Sequence, residues 1–269
     1  MAEPARTAGI YARLYASRVR SQLQYRLSYL LQALATVATA FVDLLVILVL
    51  FSHFDRLRGW SLWEVAFLYG SSYLPFKLAD MAVGKVERLG EHIRTGAFDA
   101  ILVRPLGTLP QTVTADVDLK QAGGALQGAA VFAVALAHVH LAWTAGRAAV
   151  LAAMLASGFV IFCSAWVAMN ATAFWLVDAR EHANAFTYGG NFLTQFPLDL
   201  FSGWFRRLFA FVVPLAFVNY FPALYLLGKP SQGWPGVLRF ASPAVAAAAA
   251  AVAAAVWRAG VRRYNSTGS

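Results

Sequence analysis

A single cysteine, Cys163, stands in 269 residues, so the chain has no material for a disulfide framework or a cysteine-based metal centre. Set within an apolar run, that thiol reads as a small buried hydrophobe. Charged side chains are also scarce, at 13% of the sequence. An ordinary soluble domain carries about 25%, so the usual solvated surface of a globular protein is excluded. No G-x-x-x-x-G-K-S/T sequence occurs, which excludes ATP binding and hydrolysis by a phosphate loop. The five histidines (His53, His92, His138, His140 and His182) are dispersed. His138 and His140 are two apart and would not share a helix face, so they read as boundary markers rather than metal ligands. Catalytic polar residues do not cluster, and neither a metal site nor a cofactor is expected in this chain.

Hydrophobic residues, by contrast, fill 59% of the chain, and the mean hydropathy is +0.58. Apolar runs of about 20 residues recur, long enough to cross a ~30 Å hydrocarbon core at about 1.5 Å per residue. Hydropathy places spans near 29–51, 62–84, 110–141, 148–177 and 237–257, with an ambiguous region at 184–228. The first run follows Arg6, Arg13, Arg18, Arg20 and Arg26 and is too long for a signal h-region, so no cleaved signal peptide is expected. Ile10, Leu14, Leu23, Leu27 and Leu30 alternate with those arginines at roughly helical spacing. That pattern predicts an amphipathic helix over 1–28 lying on the inner membrane surface. The membrane explains the arginines directly, and no nucleic-acid partner is expected.

Lysine and arginine concentrate on the cytoplasmic side of membrane proteins, which sets the orientation. The N-terminal arginines place the start inside. The loop over 85–109, with Lys85, Arg88, Arg94 and Arg104, is then also inside, as is the tail over 258–269 with Arg258, Arg262 and Arg263. Both termini inside require an even number of crossings. One part of 184–228 is therefore re-entrant or interfacial, and residues alone leave two choices. Either 184–202 is the fifth span and 204–228 an outer re-entrant element, or 209–228 is the span and Arg206 and Arg207 move inside. Pro214, Asn219 and Pro222 make 209–228 a poor continuous helix, whereas the positive-inside count favours it. The last span is mostly alanine and valine, small enough for close helix approach, and Gly124 and Gly128 form a lone GxxxG that reads as ordinary packing.

Charges at membrane depth are functional candidates. Asp43 lies in span one, Lys77 and Asp80 in span two, and Asp116 and Asp118 near the start of span three. Lys77 and Asp80, three apart on one helix, can neutralise each other. Most of these groups lie near a predicted helix end, where long side chains snorkel cheaply. Structural pairing is the favoured reading, and a substrate or ion site is its rival. Asp43 is the exception by depth, placed to face a partner subunit or a polar cavity.

Residues 91–106, EHIRTGAFDAILVRPL, mix charge with Ile93, Phe98, Ile101, Leu102 and Val103, too apolar for a merely solvated loop. Gly96 permits a sharp turn, Asp99 is a candidate N-cap for a short turn carrying Ile101 and Leu102, and Pro105 stops a helix before it. Ile93, Arg94, Gly96, Asp99, Leu102, Arg104, Pro105 and Leu106 fit the pattern I-R-x-G-x-x-D-x-x-L-x-R-P-L. This block resembles the cytoplasmic loop between spans two and three in permease subunits of ABC-2 type exporters. Residues 196–228 and 257–269 match the same subgroup in register.

The resemblance implies an all-α membrane protein with six transmembrane helices over 29–257, an interfacial N-terminal helix, and a cytoplasmic coupling helix within 85–109. It favours the outer re-entrant element over 204–228, shaped by Pro197, Pro214, Asn219 and Pro222. It further implies a homodimer or heterodimer of permeases in a bacterial plasma membrane. Separate ATPase subunits would bind ATP and Mg, with Glu91, Arg94 and Arg104 making charge-assisted contacts to them. The cargo would be hydrophobic or amphipathic, such as a drug, antibiotic, lipid or glycan precursor, and Phe174, Trp175, Phe186, Tyr188 and Phe192 suit it. An ion- or proton-coupled secondary transporter is the alternative, resting on Asp43 and the Lys77–Asp80 pair.

Overall fold

The computed structural model describes residues 26–114, 121–176, 179–231 and 233–265. The amphipathic segment expected over 1–28 thus lies outside the described residues except for its last positions. All regular structure among the described residues is helical, and the one β-bridge joins Leu57 to Trp60.

Helix α1 (Arg26–His53) is peripheral, with Leu30, Leu34, Phe41 and Val49 exposed along it. Helix α2 (Leu62–Val83) opens with a capping box: the Ser61 amide donates to Glu64 Oε2 at 2.7 Å, and the Glu64 amide donates to Ser61 Oγ at 3.4 Å. Two orphan amides are satisfied reciprocally, which fixes where this helix begins. From Val65 to Tyr73 every residue of α2 is buried, so it is the central post of the bundle.

Three short helices follow, α3 (Leu89–Arg94), α4 (Ala97–Leu102) and α5 (Thr108–Thr114). Helix α6 (Ala122–His138) returns alongside α2, and α7 (Ala145–Ala171) is capped by Thr144, whose Oγ1 accepts from the Arg147 amide at 3.2 Å. The helix expected as one run over 110–141 is therefore in pieces, α5 and α6, with 115–120 outside the described residues. A Cβ on Gly70 would come within 2.7 Å of the Phe132 backbone, and one on Gly128 within 3.1 Å of the Leu74 amide nitrogen. The GxxxG glycines of α6 thus serve close packing against α2 within this chain.

Helix α8 (Ala179–Thr194) stops well short of the expected 202, and Pro197 leads a 3-10 turn (Leu198–Leu200). Its buried side mixes Ala183 and Gly190 with Thr187, Asn191 and Thr194, and its exposed side mixes Arg180 and Glu181 with Ala185 and Phe192. Next come α9 (Gly203–Arg207), continued by a π turn (Leu208–Val212), then a 3-10 turn (Leu215–Phe217) and α10 (Tyr220–Leu226). The two halves meet at a 76° bend. Pro214 stands at that break, but Pro222 does not interrupt α10. It lies in the first turn, where its missing N–H would have had no helical partner. Helix α11 (Ser242–Arg263) closes the described chain, with a proline in its first turn.

Among the described residues, two helical stretches are long and apolar enough to cross a membrane, Ala145–Phe174 with 30 residues and Ser242–Arg263 with 22. The bent pair is a third if it forms one span. Helix α2 carries Glu64, Lys77 and Asp80, and α6 and α8 have 17 and 16 residues, so none of these reaches that standard.

Candidate functional site: a helical hairpin at the end of the bundle

After α2 the chain tightens into a 3-10 turn (Gly84–Arg88) and then folds back on itself as the α3–α4 hairpin. The reversal is at Gly96, with φ +70°, a left-handed conformation that costs any other residue strain. Thr95 closes α3, its amide and its Oγ1 both donating to the Glu91 carbonyl, at 3.0 and 2.9 Å. Gly96, not Asp99, is the residue that caps α4. Asp99 sits in the first turn instead, and its carboxylate accepts from the Tyr264 hydroxyl at 2.9 Å. A carboxylate in that turn also faces the positive end of the helix dipole.

One face of the hairpin is committed to the chain itself. Phe98 is fully buried, and its ring packs edge-on against Phe174 at 5.3 Å and Tyr264 at 5.0 Å. Ile93 and Ile101 pack into the same cluster, which holds Val86, Leu89, Val167 and Trp257. The Trp257 indole N–H donates to Thr108 Oγ1 at 3.0 Å, and Gln111 Nε2 donates to the carbonyls of Ile101 and Leu106 at 3.1 and 2.8 Å. The ends of α7 and α11 therefore hold the hairpin from behind. Burial pushes the Tyr264 phenol above its ordinary range, and the hydrogen bond to Asp99 pushes it the same way.

The other face is open. Glu91, Arg94, Leu102, Arg104 and Pro105 are exposed, and Leu106 is half-buried. Val103, directly after α4, is 82% exposed, the highest value among the exposed large apolar side chains of the described residues. Neither Arg94 nor Arg104 meets a carboxylate within the described residues. So the motif residues divide: Ile93, Gly96 and Asp99 build the hairpin, and the remainder face outward.

Glu87, in the 3-10 turn, joins the hairpin to the bundle. Its Oε1 accepts from the Trp166 indole of α7 at 2.9 Å and from the Tyr188 hydroxyl of α8 at 3.3 Å. Beside it lies a cavity of about 220 Å³, lined by Glu87, Arg88, Glu91, Arg94, Arg180 and Glu181 among others. It brings Glu91 and Arg94 of the hairpin together with the start of α8.

The family model described as ABC-2 family transporter protein matches residues 37–268. The chain belongs to the ABC-2 transporter family. No curated protein and no solved structure matches it. The family places this chain as the permease part of an ABC transporter, a membrane protein and a transport subunit.

Within this ABC-2 permease the intramembrane candidates are not gathered into one site. Lys77 and Asp80 are buried and 3.9 Å apart, and Lys77 Nζ also donates to Gln121 Oε1 at 3.0 Å. Its ammonium lies against the rings of Tyr73 and Phe76, at 5.3 and 5.4 Å, a further favourable contact. Asp43 belongs to α1 but its side chain lies outside the described residues, as do Asp116 and Asp118 altogether.

At the opposite end of the permease from the hairpin, Asn219 is buried and its Nδ2 donates to the carbonyls of Leu68 and Thr194, each at 2.8 Å. Asp199, which sequence reasoning passed over, is buried nearby. It accepts from the Trp60 indole at 3.1 Å and from the Tyr220 hydroxyl. Lys229 pairs with Glu64 Oε1 at 3.0 Å, donates to the Gly59 carbonyl at 3.0 Å, and lies 4.6 Å from the Trp60 ring centre. An acid in the apolar run FPLDLF was the available signal for Asp199; Glu87 offered none beyond its place next to the loop.

Proposed function

We propose that this chain is the membrane-spanning subunit of an ATP-driven exporter and that the α3–α4 hairpin is its coupling element. The open face, with Arg94, Leu102, Val103 and Arg104, enters a groove on a separate ATPase subunit, which binds ATP and Mg. The 82% exposure of Val103 next to Arg104 carries the reading, because an apolar side chain on a firmly held element is costly to leave in water. Motion of the ATPases reaches the bundle through the cluster around Phe98 and through Glu87.

Six crossings with both termini cytoplasmic complete the proposal, with two permeases forming a homodimer or heterodimer in a bacterial plasma membrane. Segment 204–228 is a re-entrant element on the outer face. Supporting this, the residues just before and after it, Asp199 and Lys229, are both anchored on residues 59–64. The cargo is hydrophobic or amphipathic.

The test is Arg94→Glu combined with Arg104→Glu in the chain reconstituted with its ATPase. Substrate-stimulated ATP hydrolysis and transport should be abolished while the melting temperature of the permease is unchanged. Normal coupled transport by that variant overturns the assignment.

A further inference from the structure

A second surface beside the hairpin has a different chemistry. A cleft of about 710 Å³ opens where α7 and α11 end, lined by Ile93, Phe174, Trp175, Arg262, Arg263 and Tyr264 among others. Among the described residues, the two helical stretches that are long and apolar enough to cross a membrane terminate at Phe174 and Arg263. The cleft therefore lies at the depth where acyl chains give way to headgroups. Its floor is aromatic, and Trp175 is 43% exposed at that depth, where indole rings concentrate in membrane proteins. Arg262 and Arg263 are exposed on its rim. Among the described residues neither guanidinium is engaged by a carboxylate, and no acidic side chain lines the cleft. The nearest motif acid, Asp99, is behind the wall, accepting from Tyr264.

We infer that this cleft binds the headgroup of an anionic phospholipid, with its phosphate between Arg262 and Arg263 and its glycerol backbone against Trp175 and Phe174. Paired guanidinium groups match phosphate oxygens in a bidentate geometry that a neutral headgroup cannot reward. Basic pockets at the ends of membrane helices take acidic headgroups by this chemistry. Because Ile93 forms part of the wall, the bound lipid touches the hairpin directly. Arg258 is one turn back on the same helix face as Arg262, but its Nε donates to the Ala254 carbonyl at 3.0 Å and it does not line the cleft.

The full chain in neutral phosphatidylcholine micelles, titrated with phosphatidylglycerol, provides the test through thermal unfolding and through lipid retained in native mass spectrometry. Phosphatidylglycerol should raise the melting temperature and stay bound. Arg262→Gln with Arg263→Gln should weaken apparent affinity by about fivefold for each arginine lost, whereas Arg258→Gln should leave it near the parent value. Trp175→Ala, which keeps both charges, should also weaken retention. Equal stabilisation by phosphatidylglycerol and phosphatidylcholine overturns the inference. So does a double variant with unchanged lipid preference, or an Arg258→Gln loss as large as that of the double variant. No ATPase is present in this experiment, so its failure leaves the exporter reading standing.

Discussion

The Tyr264 hydroxyl donates to the Asp99 carboxylate at 2.9 Å across 165 positions of sequence. It ties the last described turn of the chain to the hairpin that follows α2. Tyr264→Phe keeps the ring packing and removes only the donor, so the hairpin should loosen by about 1 kcal/mol. Hydrogen exchange at amides 97–103 reads this as faster exchange without a global change.

The same pair sets an alkaline limit. Burial first, and Asp99 second, raise the Tyr264 pKa in the folded state. A raised pKa contributes stability that is fully present below the unfolded value of about 10. That contribution is lost as pH climbs from there through the folded value. Protection of the hairpin should therefore be flat between about pH 6 and 9 and fall above about 10, and the alkaline fall should be smaller in Tyr264→Phe.

Gly96 and Gly260 are intolerant of a methyl group for different reasons. At Gly96 the obstacle is backbone, φ +70°, and alanine there should cost about 1 kcal/mol whatever surrounds it. At Gly260 the obstacle is a neighbour: a Cβ would lie 2.2 Å from Phe174 Cδ2. Gly260→Ala should destabilise by about 1–3 kcal/mol through overpacking, and Phe174→Leu should relieve much of it. Thermal unfolding of the two singles and the double distinguishes these causes, since Phe174→Leu gives Gly96→Ala no relief.

Lys77 and Asp80 hold each other in a buried environment. Lys77→Met removes the ammonium that lies 3.9 Å from the buried Asp80 carboxylate and should destabilise the bundle, whereas Lys77→Met with Asp80→Leu should recover part of the loss. If both residues were needed as ionisable groups on a transport path, the double variant would refold but not transport. Expression-normalised melting temperature and transport rate separate the two.

Glu87 accepts from helices α7 and α8 at one oxygen. Glu87→Gln retains an acceptor there, but Glu87→Leu strands the Trp166 indole N–H, at a cost of about 1–3 kcal/mol. We expect Glu87→Leu to lower cargo moved per ATP hydrolysed in the reconstituted complex, with Glu87→Gln close to the parent. An unchanged ratio in Glu87→Leu would make the link dispensable.

Membership of the ABC-2 family is legible in the amino-acid sequence, because recurring apolar runs and scarce charge are local properties of the chain. Gly96 is also legible as the turn, since a left-handed residue has few alternatives to glycine. The misreading of Asp99 as a cap has a clear cause: its true partner, Tyr264, is distant in sequence, and no local signal announces it. Phe98 and Ile101 read as docking groups, yet they serve the chain's own core, because hydropathy does not say which apolar surface is met. Helix α8 ends early for a similar reason. Its buried polar residues keep its hydropathy low, while Phe196 and Leu198 beyond it extend the apolar signal past the helix. Asp199 escapes notice because its donors, Trp60 and Tyr220, come from two other elements.

Trp60 is a single fastening for two distant points of the chain. Its indole N–H holds Asp199 and its ring lies against Lys229, so both ends of the stretch between them meet at one side chain. The middle of that stretch is held separately, by Asn219 on Leu68 and Thr194 and by core residues from Leu215 to Leu226. Loss of the indole would therefore loosen both ends at once and leave the middle seated.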